Sequence, residues 1–107
     1  MIELLLLLGF TMPQAITFDM LRDEGRLGEW VCISDIFMAE SSWDPNAVGD
    51  TDRGGSYGLP QRHAPAHGKP ELPWAVRDQV RWTLDYADDR YGGVCEGRTF
   101  REQRGWW

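Results

Sequence analysis

The chain has very little lysine. Lys69 is the only one among 11 cationic side chains, which stand against 17 carboxylates for a net charge of −6. No basic run or stripe exists that could neutralise a line of phosphates, which excludes nucleic acid as a partner. Long hydrophobic runs are also missing. The leucine-rich start, MIELLLLLGF, is interrupted by Glu3 and falls far short of the roughly 20 apolar residues of a membrane span. It has no positive n-region and no small-residue cleavage site, so it does not read as a signal peptide. Three readings of it stay open: a buried first helix, a docking segment for a larger assembly, and a membrane-active segment.

Metal ligands are scarce as well. Of the two histidines, His63 and His67 in HAPAH, the spacing suits a metal only on a helix, and Pro65 between them argues against a helix. With no cysteine or carboxylate cluster beside them, no metal and no cofactor is expected. A Ser or Cys hydrolase triad is equally weak, because Ser41 has no convincing His partner and neither cysteine sits in a nucleophile setting. Cys32 and Cys95 are the only two cysteines. Joined, they would close a long loop worth about 4 kcal/mol from chain entropy, and would fit an extracellular or virion setting. Two buried free thiols are the alternative.

What is present is a globular composition, 42% hydrophobic with six tryptophans in 107 residues, enough for one domain with one core. Pro13 followed by Ala15, Ile16, Phe18, Met20 and Leu21 predicts a short helix that ends at Gly25 and Gly28. In EWVCISDIFMAESSW, apolar residues recur at three- and four-residue steps, placing Glu40 on or beside the apolar face near the helix end. Pro73 opens the clearest helix, in which Val76, Val80, Leu84, Ala87 and Tyr91 share a face and Gly92 and Gly93 stop it. In TFREQRGWW, Thr99 stands three residues before Glu102, a capping-box spacing. Between residues 44 and 73 the signal is loop, rich in Gly and Pro, with short strands expected around Ser56 to Leu59.

Glu40 carries the chemistry in this pattern. A carboxyl at the edge of an apolar helix face is desolvated, which disfavours its charged form and suits it to protonate a leaving group near neutrality. The bland alternative is a helix-ending Glu in water.

The stretch that follows resembles the lysozyme-like superfamily, in particular soluble lytic transglycosylases and goose-type lysozymes. The resemblance rests on Glu40-Ser41, then Trp43, then Pro45-Asn46-Ala47-Val48, then Asp52-Arg53-Gly54, and a closing Tyr57-Gly58-Leu59-Pro60-Gln61. It is closest to the small domains carried on bacteriophage virions and actinobacterial cell-wall proteins, through Gly49-Asp50, Gly54-Gly55-Ser56-Tyr57, the Gln79 to Gly92 segment and Gly105-Trp106-Trp107. It spans residues 29–107 and leaves residues 1–28 as a leucine-rich helical segment and candidate docking element.

The resemblance implies a mainly α, lysozyme-like fold whose long irregular or short-stranded loop forms a cleft wall. Glu40 then matches the catalytic acid, and Asp52 the first of the carboxylates that position water in goose-type enzymes; the second falls at His63. Ser41, Ser56, Tyr57, Gly58, Gln61 and His63 become the expected substrate-binding residues. The implied substrate is the β-1,4 bond between N-acetylmuramic acid and N-acetylglucosamine in peptidoglycan, cut on a phage tail or at the cell wall. Tail assembly partners would meet the N-terminal segment. Two departures stand out: the A-Y-N-x-G motif of transglycosylases is missing, and Pro60 replaces the usual Met, Phe or Trp. Hydrolysis and 1,6-anhydro-forming transglycosylation both stay open, as do an inactive structural protein of this fold and a glycan-binding module.

Overall fold

A computed structural model describes all residues 1–107. Six helices accompany a small sheet: α1 (Ile2–Leu7), α2 (Met12–Asp23), α3 (Trp30–Ser41), α4 (Ala64–His67), α5 (Val76–Tyr91) and α6 (Val94–Arg104). The fold is mainly α, as expected. Its core is built where the apolar faces of α2, α3, α5 and α6 meet, with Leu21, Ile33, Ile36, Phe37, Val80, Leu84, Ala87 and Val94 buried together. Leu59, from the loop region, plugs the same core.

Local signals set the start of α2 and the end of α5. At α2 the Thr11 hydroxyl accepts from the Gln14 N–H and the Gln14 side chain accepts from the Thr11 N–H, a reciprocal cap that satisfies two orphan donors. At α5 the αL residue Gly92 ends the helix, as the sequence suggests. Its beginning differs from expectation. Pro73 lies outside the helix, in a cis Leu72-Pro73 bond, and Ala75 is the N-cap. Thr99 is no cap either. Helix α6 starts five residues earlier, at Val94, and the Thr99 hydroxyl donates back to the Cys95 carbonyl at 3.2 Å.

The two cysteines are joined, tying α3 to α6 across 63 residues of chain. Closing a loop of that size stabilises by about 4 kcal/mol from chain entropy. The Arg98–Asp35 ion pair at 3.0 Å links the same two helices further along.

At the N-terminus only Leu5 of α1 is buried, while Leu7 and Leu8 are 84% and 68% exposed. Phe10 fastens the segment, packing on Phe18 at 5.7 Å and on Trp30 at 5.6 Å. No helix is long and apolar enough to cross a membrane.

The loop region between α3 and α5 contains three two-residue strands, β1 (Val48–Gly49), β2 (Ser56–Tyr57) and β3 (Arg62–His63). They form an antiparallel sheet in the order β1-β2-β3. In its register Gly49 pairs with Ser56 and Ser56 with His63, while Val48 pairs with Tyr57 and Tyr57 with Arg62. Directly after β3 comes α4, so HAPAH does contain a helix. Pro65 is tolerated because it falls in the first turn, where its missing N–H has no helical partner.

Candidate active site

Glu40 is the penultimate residue of α3, and the chain leaves the helix there by an unusual route. Ser42 and Trp43 both take left-handed backbone conformations, at φ 54° and 61°, which cost a non-glycine residue roughly 1–2 kcal/mol each. Burial of the Trp43 indole, edge-on to Phe37 at 5.2 Å, offsets that cost. The Ser41 hydroxyl lies within 3.0 Å of both the Phe37 and the Leu59 carbonyls. The end of α3 is thereby fixed to the returning loop. Ser41 is not part of the wall of the cavity beside Glu40.

Glu40 opens onto a cavity of about 320 Å³ lined also by Asp50, Arg53, Ser56, Gln61, His63, Trp106 and Trp107. Its side chain is 15% exposed. Burial pushes its carboxyl above the usual range. The charge of Arg101 and its hydrogen bond oppose the shift, and Asp50 adds a smaller upward push.

Alternation along the strands sorts the expected site residues. Successive side chains on a strand point to opposite faces, so Ser56 and His63, cross-strand partners, share the Glu40 side. The Ser56 hydroxyl lies 3.1 Å from His63 Nδ1 and 3.1 Å from Asp50 Oδ2. Tyr57 faces the other way. It lines a separate, mostly apolar hollow of about 160 Å³ with Pro45, Val48, Gly58, Leu72 and Trp74.

Gln61 reaches the Glu40 cavity, held by its amide donating to the Gly58 carbonyl at 3.0 Å and the Ala47 carbonyl at 3.3 Å. Gly49 makes the space for it, since a Cβ there would lie 2.6 Å from the Gln61 side-chain oxygen. Gly58 is required for a similar reason. At φ 75° its missing Cβ would fall 2.5 Å from the side-chain oxygen of Gln79.

Gln79 itself is fully buried on α5. It accepts from the Leu59 N–H at 2.7 Å and donates to the Pro45 and Trp74 carbonyls at 2.9 and 2.8 Å. One amide thus pins both ends of the β arm. The sequence signal for it is a polar residue in phase with Val76, Val80 and Thr83 on an otherwise apolar face.

Asp52 lies exposed on a short 3-10 turn, Thr51–Arg53, and does not line the cavity. The second carboxylate there is Asp50, two residues earlier and outside the D-R-G piece of the motif. Arg101, Arg53 and the two terminal tryptophans also escape the sequence reading as site residues. Trp106 is 50% exposed at the cavity rim, and the Trp107 indole donates to the Pro60 carbonyl at 3.3 Å. The two histidines diverge. His67 packs on Trp82 and Tyr86 at 5.5 and 5.0 Å, while His63 turns to Ser56.

Sequence likeness points the same way as this geometry. Over 75 residues, 67% of the chain, it is 35% identical to a protein of Staphylococcus xylosus described as a probable transglycosylase IsaA, and 33% identical to the protein of that description in Staphylococcus haemolyticus. The matched stretch spans only 26% and 27% of those two relatives. No family model matches the chain, and no solved structure matches it significantly. A helical body with a short-stranded arm folded over a half-dry glutamate, together with kinship to these transglycosylases, means that the chain belongs to the lysozyme-like superfamily.

Proposed function

We propose that the chain is a muralytic enzyme that cleaves the β-1,4 bond between N-acetylmuramic acid and N-acetylglucosamine. One observation carries this reading: a single carboxyl, largely removed from water and raised above its usual range, at the wall of a cavity with polar side chains around it. In this reading the Glu40 carboxyl gives its proton to the glycosidic oxygen as the C1–O bond breaks. The resulting carboxylate then takes a proton from the attacking hydroxyl, either water or the muramyl 6-hydroxyl.

Asp50 replaces Asp52 as the proposed second carboxylate, because it lines the cavity and Asp52 does not. Asp50, Ser56 and His63 form a hydrogen-bonded chain suited to orient an attacking hydroxyl. Gln61 is proposed to bind the sugar. Tyr57 and Gly58 belong to the neighbouring hollow, where they would meet a more distant part of the glycan or stem.

The disulfide favours action in an oxidising place such as the cell wall. Carriage on a phage tail draws support from charge alone: a protein of net charge −6 gains no electrostatic steering towards a polyanionic wall, and delivery by an assembly removes that need. Residues 1–28 would then dock, through Leu4, Leu7 and Leu8, which are exposed. A second reading, an inactive scaffold of the same fold, is favoured by the ion pair that occupies Glu40.

A zymogram on bacterial walls separates the two. Wild type should clear the wall and Glu40→Gln should lose clearing by at least about 10²-fold. Clearing by both proteins, or by neither, removes the enzymatic reading. Released 1,6-anhydro ends would mark transglycosylation, and reducing ends hydrolysis.

A further inference from the structure

Glu40 lies between two hollows. On one side is the cavity described above; on the other is a groove of about 200 Å³ formed by Asp35, Ile36 and Ala39 of α3 and Arg98, Arg101 and Glu102 of α6. Arg101 enters from this second side. Its Nε donates to Glu40 Oε1 at 3.2 Å, and its side chain is 25% exposed. It does not line the cavity.

We propose that Arg101 is a positioning residue for Glu40: from α6 it fixes the carboxyl in one orientation and stabilises the carboxylate left once the proton has gone. It rests on the muralytic reading of Glu40 and adds a residue that does not touch the sugar.

Three features make this more than a surface ion pair. Such pairs contribute little when both partners are mobile and wet. Here the partners sit on helices joined by the Cys32–Cys95 disulfide and linked by the Arg98–Asp35 pair, so the two backbones that carry them are held at a fixed separation. Glu40 is mostly shielded from water, where a fixed charge acts more strongly. With Oε1 occupied by Arg101, Oε2 is the oxygen left to carry the transferable proton towards the cavity.

The proton balance is simple. Glu40 Oε2–H passes its proton to the glycosidic oxygen, the C1–O bond breaks, and the charge that appears on Glu40 is met by a cation already in contact with it. Asp50 on the cavity side opposes that charge. Arg53 and His63 also border the cavity, while Arg98 and Glu102 stand on α6 and Asp35 on α3.

The test follows the Glu40 carboxyl directly by carbon-detected NMR titration in wild type, Arg101→Gln and Arg101→Lys, beside the pH profile of kcat/KM on purified peptidoglycan. With Arg101→Gln the Glu40 titration should move to higher pH, and kcat/KM at neutral pH should fall about tenfold with KM little changed. Arg101→Lys should restore most of both. A Glu40 titration that stays in place in Arg101→Gln, or a lysine variant no better than the glutamine one, overturns the proposal. Should wild type fail to cleave peptidoglycan, the muralytic reading falls, yet the titration still decides whether Arg101 governs the Glu40 charge.

Discussion

The two faces of the small sheet are built from one short stretch of sequence, yet they present different chemistry. On the face of Ser56 and His63 the cavity is polar and lined by two carboxylates, Asp50 and the shielded Glu40. On the face of Tyr57 the hollow is smaller and lined mainly by proline, valine, leucine and aromatic atoms. A two-residue strand is enough to separate them, because neighbouring side chains diverge. The lesson is that adjacency within a motif does not place residues in one site. Ser56 and Tyr57 are consecutive, and only one of them borders the cavity of Glu40.

The largest effect is expected from breaking the support that both faces share. Gln79→Leu keeps the volume roughly but leaves the Leu59 N–H and the Pro45 and Trp74 carbonyls without their partner. Each buried polar group stranded in this way costs about 1–3 kcal/mol, so a loss near 3 kcal/mol or more is expected in denaturant unfolding. Gln79→Glu should be no better at neutral pH, since it turns a donor into an acceptor opposite two carbonyls. A midpoint close to that of wild type for both variants would mean that the β arm is held from elsewhere.

A smaller effect sharpens the distinction between the two aspartates. Asp50→Asn should lower kcat about tenfold on peptidoglycan, through loss of the charge beside the Ser56 hydroxyl. Asp52→Asn, on an exposed turn, should stay within about twofold of wild type. The reverse ranking would return the role to Asp52.

That pair also shows what the sequence makes legible. The helices could be read because apolar period and punctuation act locally: Ile33, Ile36 and Phe37 recur at the right steps, and Gly92 ends α5 by its own backbone. Glu40 could be placed for the same reason. The motif points to Asp52, yet the carboxylate that turns inward is Asp50, because that choice depends on a tight turn with Asp50 itself at φ 49°. Arg101 was beyond reach altogether. Its meeting with Glu40, 61 residues away, depends on how α6 lies along α3, which core packing and the disulfide decide. The expected cap at Thr99 failed because a capping-box spacing also occurs inside a helix, where Val94 and Gly97 are the buried residues that set its course.

The smallest effect concerns stability at the acid itself. Glu40 has a folded-state value raised by burial, so the folded protein holds this proton more tightly than the unfolded chain does. The stability linked to that proton is fully present below the unfolded value, near 4.3, and is lost as the pH rises through the folded one. Above that folded value the buried carboxylate is a burden that Glu40→Gln relieves. The melting temperature of the variant should gain on that of wild type as the pH rises from 4 towards 7. The apolar hollow supplies the control: Tyr57→Phe carries no such charge and should leave the pH dependence of melting unchanged. If Glu40→Gln and wild type keep a constant gap across that range, Arg101 compensates the buried charge fully and the two faces differ less in energy than in composition.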